Sequence, residues 1–285
     1  MICVALGCAS EEARPPTPPD CTEPGCNPGP TGGGPGGGGG TPDGGGGTRD
    51  VSVPPAADAD ADAGTVTVPY TVRQTVDSWF YATASYSNPV LVRAVGPNGQ
   101  VAPASDAGSA VPGTVSDVAP GANWFLVEDT TTSRRLSATL QLVDIDSRAP
   151  SASVRAVATD GISNLVVDQV VWAPPAGTAT IVLSFRKSGR GAAGVTVDRS
   201  ALPAGTTVAY DSSGMYVSDA MVIGAMPATD VQGTAIVREI AGAQPFPALT
   251  SVTLRYRLAN NTSTFPAIDA KIARDAVTWM QIDLP

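Results

Sequence analysis

Apolar and polar residues alternate with a period of two along most of the chain that follows residue 64. The clearest runs are Val66–Val72, Leu136–Leu142, Ile181–Phe185 and Val252–Leu258. Successive side chains of a strand point to opposite faces, so each run predicts a strand with one face in a core and one in water. Turn-forming residues recur between the runs, as at Pro97-Asn98-Gly99. Many short strands with frequent turns predict an all-β fold of antiparallel β-sandwiches.

One segment near the end of the chain fits two patterns. Apolar residues from Ile268 to Met280 recur at spacings of four, as in a helix, but Ile268, Ala270 and Ile272 also alternate. Because all neighbouring segments are strand-like, a hairpin that turns near Arg274 is the favoured prediction.

Two folded domains are predicted. A break around Ser147-Arg148-Ala149-Pro150 separates the strand pattern before it from the pattern that begins near Val154. We therefore expect one β-sandwich over residues 64–148 and a second over 149–285.

The first 63 residues have a different composition. They hold 15 of the 31 glycines and 11 of the 26 prolines, and the first aromatic residue of the chain is Tyr70. Such a segment cannot bury enough apolar surface to offset the entropy of ordering it. Residues 9–63 are therefore predicted to be a disordered linker rich in Gly, Pro and Asp, and they carry most of the net charge of −9.

Composition also excludes several classes of function. The chain has no histidine, which excludes Ser-His-Asp and Cys-His catalysis and histidine metal sites. It has no basic cluster, so no nucleic-acid partner is predicted. The chain contains no run of 18 apolar residues, so no membrane-spanning helix is predicted. No cofactor is expected.

The amino terminus carries a recognisable pattern. An apolar or small run from Ile2 to Gly7 ends at Cys8, and polar Ser10-Glu11-Glu12 follows. Leu6-Gly7-Cys8 resembles the end of a bacterial lipoprotein signal peptide. The resemblance implies that Cys8 carries lipid and that the protein is anchored in a membrane of the cell envelope; secretion is the alternative. Residues 1–8 would then be the remnant of a longer signal that begins upstream, the other interpretation being an unstructured stub with a chance cysteine.

Two further features of this segment are candidates for sites. Cys21 and Cys26 flank a Pro-Gly turn and could form a small disulfide loop in an oxidising compartment. The alternate acids Asp58, Asp60 and Asp62 resemble half of a calcium loop. Ala63 and Pro69 stand where such a loop needs glycine and glutamate, so a solvated acidic spacer is favoured over weak calcium binding.

The second predicted domain resembles two families. Thr229-Asp230-Val231-Gln232-Gly233, followed by an apolar run, is similar to a turn and strand of carboxypeptidase regulatory-like and bacterial immunoglobulin-like domains. The resemblance implies a β-sandwich module without catalytic activity. A tight turn at this point favours a positive φ at Gly233.

These observations predict a structural or adhesive role at the envelope, with an unknown protein or glycan ligand and no enzymatic activity. The alternatives are a hydrolase that uses paired carboxylates, such as Glu128-Asp129 or Asp144 with Asp146, and a calcium-dependent module. The four tryptophans are expected to pack in the cores, although an exposed strip at Trp79-Phe80-Tyr81 could stack on sugars.

Overall fold

The computed structural model describes residues 64–105, 111–221, 227–258 and 267–285. Nineteen strands account for most of this part of the chain, which confirms the all-β prediction. The strands of the first half are β1 Val66–Thr75, β2 Thr83–Tyr86, β3 Val90–Val95, β4 Gly113–Val118, β5 Gly121–Asp129, β6 Thr139–Ile145 and β7 Ala152–Ala156.

The second half continues the same architecture. Its strands are β8 Leu165–Val167, β9 Val170–Trp172, β10 Ala179–Lys187, β11 Arg190–Gly191, β12 Val195–Val197, β13 Thr207–Ser212, β14 Met215–Ser218, β15 Thr234–Ile240, β16 Thr250–Leu254, β17 Tyr256–Leu258, β18 Ile268–Ile272 and β19 Val277–Leu284. Within the described ranges, one short helix, α1 Thr159–Ser163, and a single 3₁₀ turn, Arg199–Ala201, interrupt the strands.

One long sheet forms the frame of the described unit. Ten of its strands follow the order β3-β5-β6-β19-β10-β15-β13-β14-β8-β9, and β11 is added beside β10. A four-stranded sheet contains β1, β2, β4 and β7, and two pairs, β12 with β17 and β16 with β18, complete the fold. Most ladders are antiparallel, as predicted, but β1 with β7, β10 with β19, β19 with β6 and β14 with β8 are parallel.

The two main cores lie on opposite faces of the long sheet. The first core joins the four-stranded sheet to β3, β5 and β6 and includes Val72, Phe125 and Val154. The second core joins β10, β13 and β15 to the two small sheets and includes Leu183 and Val237. A third cluster, with Phe80, Val182 and Trp279, covers the face of the long sheet that the second core leaves open.

This arrangement explains why β10 differs from its prediction. Ile181, Leu183 and Phe185 face the second core as expected, but Val182 and Ser184 on the other face are buried too. The sequence pattern predicted a solvent-exposed face there. Packing on both faces of the long sheet removes that exposure, and every residue of β10 except Lys187 is buried.

The long sheet also crosses the position at which the chain was predicted to divide. β19, the last strand, pairs with β6 on one side and with β10 on the other. β7, which follows residue 148, pairs with β1 and packs in the first core. The division into sandwiches over 64–148 and 149–285 stays a prediction.

The segment from residue 268 to 280 contains two strands and no helix. β18 and β19 are separated by a tight turn in which Asp275 has a positive φ. The predicted hairpin is wrong in its pairing, because β18 bonds to β16 while β19 enters the long sheet. In this arrangement β18 buries Ala270 and Ile272 in the second core, and β19 buries Trp279 and Ile282 on the two faces of the long sheet.

The predicted face of β6 is also wrong in part. Leu140 is buried, but Leu142 is 43% exposed, and the other parity of the strand supplies Ile145 to the first core. Because the strand begins at Thr139 and not at Leu136, Leu136 and Leu140 pack in different clusters.

Candidate functional site

A cleft of about 330 Å³ opens between the four-stranded sheet and the long sheet. Its lining is polar except for one aromatic ring. It consists of Arg73 from β1, Ser153 and Arg155 from β7, Gln141 from β6, and Trp279 and Gln281 from β19. All six belong to strands, which hold side chains more firmly than loops do.

Strand pairing brings these residues together. Arg73 and Arg155 are direct partners in the parallel ladder of β1 and β7. Their neighbours Val72 and Val154 point the other way, into the first core. Because alternate residues face opposite sides, burial of these valines places both arginines on the face away from the first core, where they line the cleft.

Arg155 is held by three contacts. Its guanidinium lies 4.0 Å from the centre of the Trp279 ring. Nη1 donates to the carbonyl oxygen of Phe80 at 3.0 Å, and its backbone N–H donates to Oε1 of Gln141 at 2.6 Å. Burial lowers the pKa of Arg155, and the nearby charges of Arg186 and Arg73 lower it further. An arginine keeps its proton at neutral pH despite such a shift.

Arg186 adds a third positive charge beside the cleft. It lies on β10 and is only 4% exposed, with Nε donating to Oγ of Ser184 at 2.9 Å. Its guanidinium stands 3.9 Å from the centre of the Tyr81 ring, and Nη2 is buried without a hydrogen-bond partner in the described part of the chain. Burial lowers the pKa of Arg186, while Tyr81 and Asp77 act in the opposite direction.

The three arginines have no carboxylate within 4.0 Å among the residues that the structure describes. Ion pairs at that distance join Arg93 with Glu128, Arg199 with Asp219, and Lys271 with Asp269. Asp77 attracts Arg155 and Arg186 from farther away, and its oxygens accept from the backbone of Tyr81 and Ala82 at 2.8 and 3.0 Å. Like charges directly opposite on neighbouring strands are destabilising. The cleft is therefore suited chemically to an anion.

The candidate residues of the first 63 positions lie outside the described residues. These are the lipidation candidate Cys8, the possible disulfide pair Cys21 and Cys26, and the calcium candidates Asp58, Asp60 and Asp62. They stay predictions, as does the linker over 9–63.

The carboxylate pairs considered for hydrolysis do not meet in a cleft. Glu128 bonds to Arg93, and Asp129 accepts from the hydroxyl of Tyr86 at 2.8 Å. Asp144 is exposed on β6, and Asp146 accepts from the backbone of Arg148 at 2.8 Å. Within the described residues, no three His, Cys, Asp or Glu side chains are placed to hold a metal ion.

The turn that carries the family resemblance surrounds a buried carboxylate. Asp211 is 1% exposed and accepts from the backbone nitrogens of Asp230, Gln232 and Thr234 at 3.1, 2.9 and 3.0 Å. Burial raises the pKa of Asp211, and these three hydrogen bonds lower it in part. Gly233 has the predicted positive φ of 65°. These hydrogen bonds join the turn to β13 and stabilise the fold at this point.

The pattern of the sequence did not single out the cleft arginines. Each occupies an ordinary polar position of an alternating strand, which predicts only exposure. The available signal was the excess of 15 arginines over two lysines. Arginine stacks on aromatic rings, and the described residues contain four such pairs, on Phe246, Trp279, Tyr81 and Trp172.

The aromatic residues mainly pack, as expected. Trp124 and Trp279 are 8% and 5% exposed, and Trp79 and Trp172 are half-buried. Phe80 is fully buried and Tyr81 is 49% exposed beneath Arg186. The residues 79–81 therefore present one exposed ring instead of a strip.

Comparisons with known proteins show only distant similarity. No family model matches the chain, and no curated protein matches it. A minor pilin of Streptococcus agalactiae is 11% identical, over 76% of this chain and 94% of the pilin, with a TM-score of 0.22. The shaft pilin SpaA of Lactobacillus rhamnosus GG is 11% identical, over 78% of this chain and all of the pilin, with a TM-score of 0.20. At such TM-scores, neither similarity supports a conclusion about this chain.

No helix in the described ranges is long and apolar enough to span a membrane.

Proposed function

We propose that this chain is a structural or adhesive protein of the bacterial cell envelope. In this proposal, lipid on Cys8 anchors it, residues 9–63 act as a tether, and the β-sheet unit that begins at β1 engages a protein or glycan outside the membrane. The proposal assigns it no catalytic step.

The observation that carries this proposal is the pairing of β1, the strand that would receive force from the tether. β4 and β2 flank one edge of β1, and β7 lies parallel along the other. Force that enters at residue 64 and leaves beyond the far end of β7 acts along this parallel ladder. The hydrogen bonds then share the load and must break together, which slows forced unfolding.

The anchor is tested by metabolic labelling in the native host with a fatty-acid analogue. We expect the native chain and Cys21→Ala to be labelled and retained in the membrane fraction. Cys8→Ala should lose the label and enter the medium. Equal labelling of the native chain and Cys8→Ala, or no labelling of either, would contradict the anchor.

The load-bearing role is tested by single-molecule pulling on one ladder in two directions. In a chain whose native cysteines are replaced by alanine, one handle is placed at residue 64. The second is placed at exposed Asp160→Cys, which shears β1 against β7, or at exposed Ser151→Cys, which unzips them. We expect a higher rupture force with the Asp160 handle. Equal forces would argue against a load-bearing β1.

A further inference from the structure

We propose that the cleft between the two sheets binds an acidic saccharide, with a sugar carboxylate between Arg73 and Arg155. This inference goes beyond the envelope role and does not depend on the lipid or the tether. The cleft has about 330 Å³, near the lower end of small-ligand sites and enough for one or two sugar rings.

The first argument is charge. Arg73 and Arg155 are direct cross-strand partners, and Arg186 stands close enough to lower the pKa of Arg155. None of the three has an ion-pair partner in the described part of the chain. A carboxylate would offset their repulsion, and arginine binds a carboxylate through two parallel N–H groups.

The second argument is preorganisation. Arg155 is fixed by the Trp279 ring and by the carbonyl of Phe80, while its Nε and Nη2 make no hydrogen bond to described residues. Arg73 is held by Nε, which donates to Oγ1 of Thr83 at 3.0 Å. Arg155 has thus lost much of its rotamer freedom before any ligand arrives, which lowers the entropic cost of binding.

The third argument is the mixture of donors and acceptors. Gln141 uses its oxygen on the backbone of Arg155, so its amide N–H groups remain as donors. Gln281 uses its nitrogen on Asp283, so its oxygen remains as an acceptor. The hydroxyl of Ser153 can do either. A sulfate ion has no hydrogen to give to Gln281, whereas the hydroxyls of a sugar can serve all three.

Binding is measured by titration calorimetry on the full chain with digalacturonate. Neutral digalactose, inorganic sulfate and an Asp-Asp dipeptide are the comparison ligands. We expect heat of binding with digalacturonate, none with digalactose, and weaker binding with sulfate and the dipeptide. Arg73→Gln and Arg155→Gln should each weaken digalacturonate binding about tenfold or more, because each removes a charged hydrogen bond.

Two further variants distinguish loss of the site from loss of the fold. Ser153→Tyr keeps every charge and fills the cleft from an exposed position, so it should abolish binding while thermal unfolding is unchanged. Arg148→Gln removes an exposed arginine away from the cleft and should bind like the native chain. Tighter binding of sulfate would reassign the cleft to inorganic anions, and tighter binding of the dipeptide would reassign it to acidic peptides. No binding of digalacturonate, or binding unaffected by all three cleft substitutions, would overturn the proposal.

Discussion

The backbone nitrogen of Thr234 donates to the buried carboxylate of Asp211 at 3.0 Å, and this contact joins β15 to its neighbouring strand β13. Two more backbone nitrogens of the same loop bond to that carboxylate. The loop before β15 is therefore stabilised by one side chain 19 or more residues away in sequence.

Replacing Asp211 with asparagine should destabilise the fold. Asparagine has one acceptor oxygen, so at least one backbone N–H of the loop would remain buried without a partner. We expect the free energy of unfolding to fall by about 1–3 kcal/mol, measured by urea denaturation. Asp144→Asn, at an exposed position of β6, should change it by less than about 0.5 kcal/mol. Equal losses from the two substitutions would contradict a special role for Asp211.

The same carboxylate should give stability a distinct pH dependence. Its folded pKa is raised above the ordinary value, first by burial, so the folded state holds this proton more tightly than the unfolded state does. The contribution is complete below the ordinary pKa and is lost as the pH rises toward the raised folded pKa. The difference in the free energy of unfolding between the native chain and Asp211→Asn should therefore decrease as the pH rises through that window. A difference that increases with pH would contradict this sign.

Gly233 should tolerate no side chain. A Cβ at this position would lie 2.4 Å from the nitrogen of Ala192 and 2.4 Å from the oxygen of Phe185, on a backbone with positive φ. Gly205 has a similar φ of 83° but open space around it. We expect Gly205→Ala to cost about 1 kcal/mol, from backbone strain alone. Gly233→Ala should cost about 3 kcal/mol or more, from strain and overlap together. Similar chemical denaturation midpoints for the two variants would refute the overlap.

The pair of Tyr86 and Asp129 should stabilise the first core from neutral to mildly acidic pH. Burial tends to raise the pKa of Asp129, but hydrogen bonds from Thr131, Tyr86 and Leu136 hold it below its ordinary value. Its contribution is present above that value and is lost as the pH falls through the folded pKa. Tyr86→Phe should lower the free energy of unfolding at pH 7 by about 1 kcal/mol and reduce the acid-induced loss.

The same tyrosine offers a direct spectroscopic check. Burial and the bond to Asp129 raise the pKa of Tyr86 to about 12. Ultraviolet titration of the native chain should therefore contain a tyrosinate that forms near pH 12 and is missing from Tyr86→Phe. Identical titration curves for the two chains would show that the hydroxyl is not held in this way.

The two cores should unfold together, because β19 bonds to strands of both. We expect one calorimetric transition for the described unit, with equal calorimetric and van't Hoff enthalpies. Val92→Ala in the first core and Leu183→Ala in the second should both shift that single transition. Two transitions, each shifted by one substitution only, would instead support independent domains that meet near residue 148.

The sequence determined those features that depend on local chemistry. The period of two at Val66–Val72 and at Val252–Leu258 identified strands and the faces they bury, because alternation is a property of the strand itself. The segment Thr229–Gly233 likewise showed where the backbone needs a positive φ, since glycine adopts that conformation without strain.

Tertiary structure alone decided which strands are neighbours and what lies between them. Ile268–Ile272 and Val277–Leu284 are adjacent in sequence yet join different sheets. Arg73 and Arg155 are far apart in sequence yet are direct cross-strand partners in the lining of the cleft. Strand pairing depends on the total apolar area that all sheets can bury together, a sum over the whole fold that no single segment of the sequence contains.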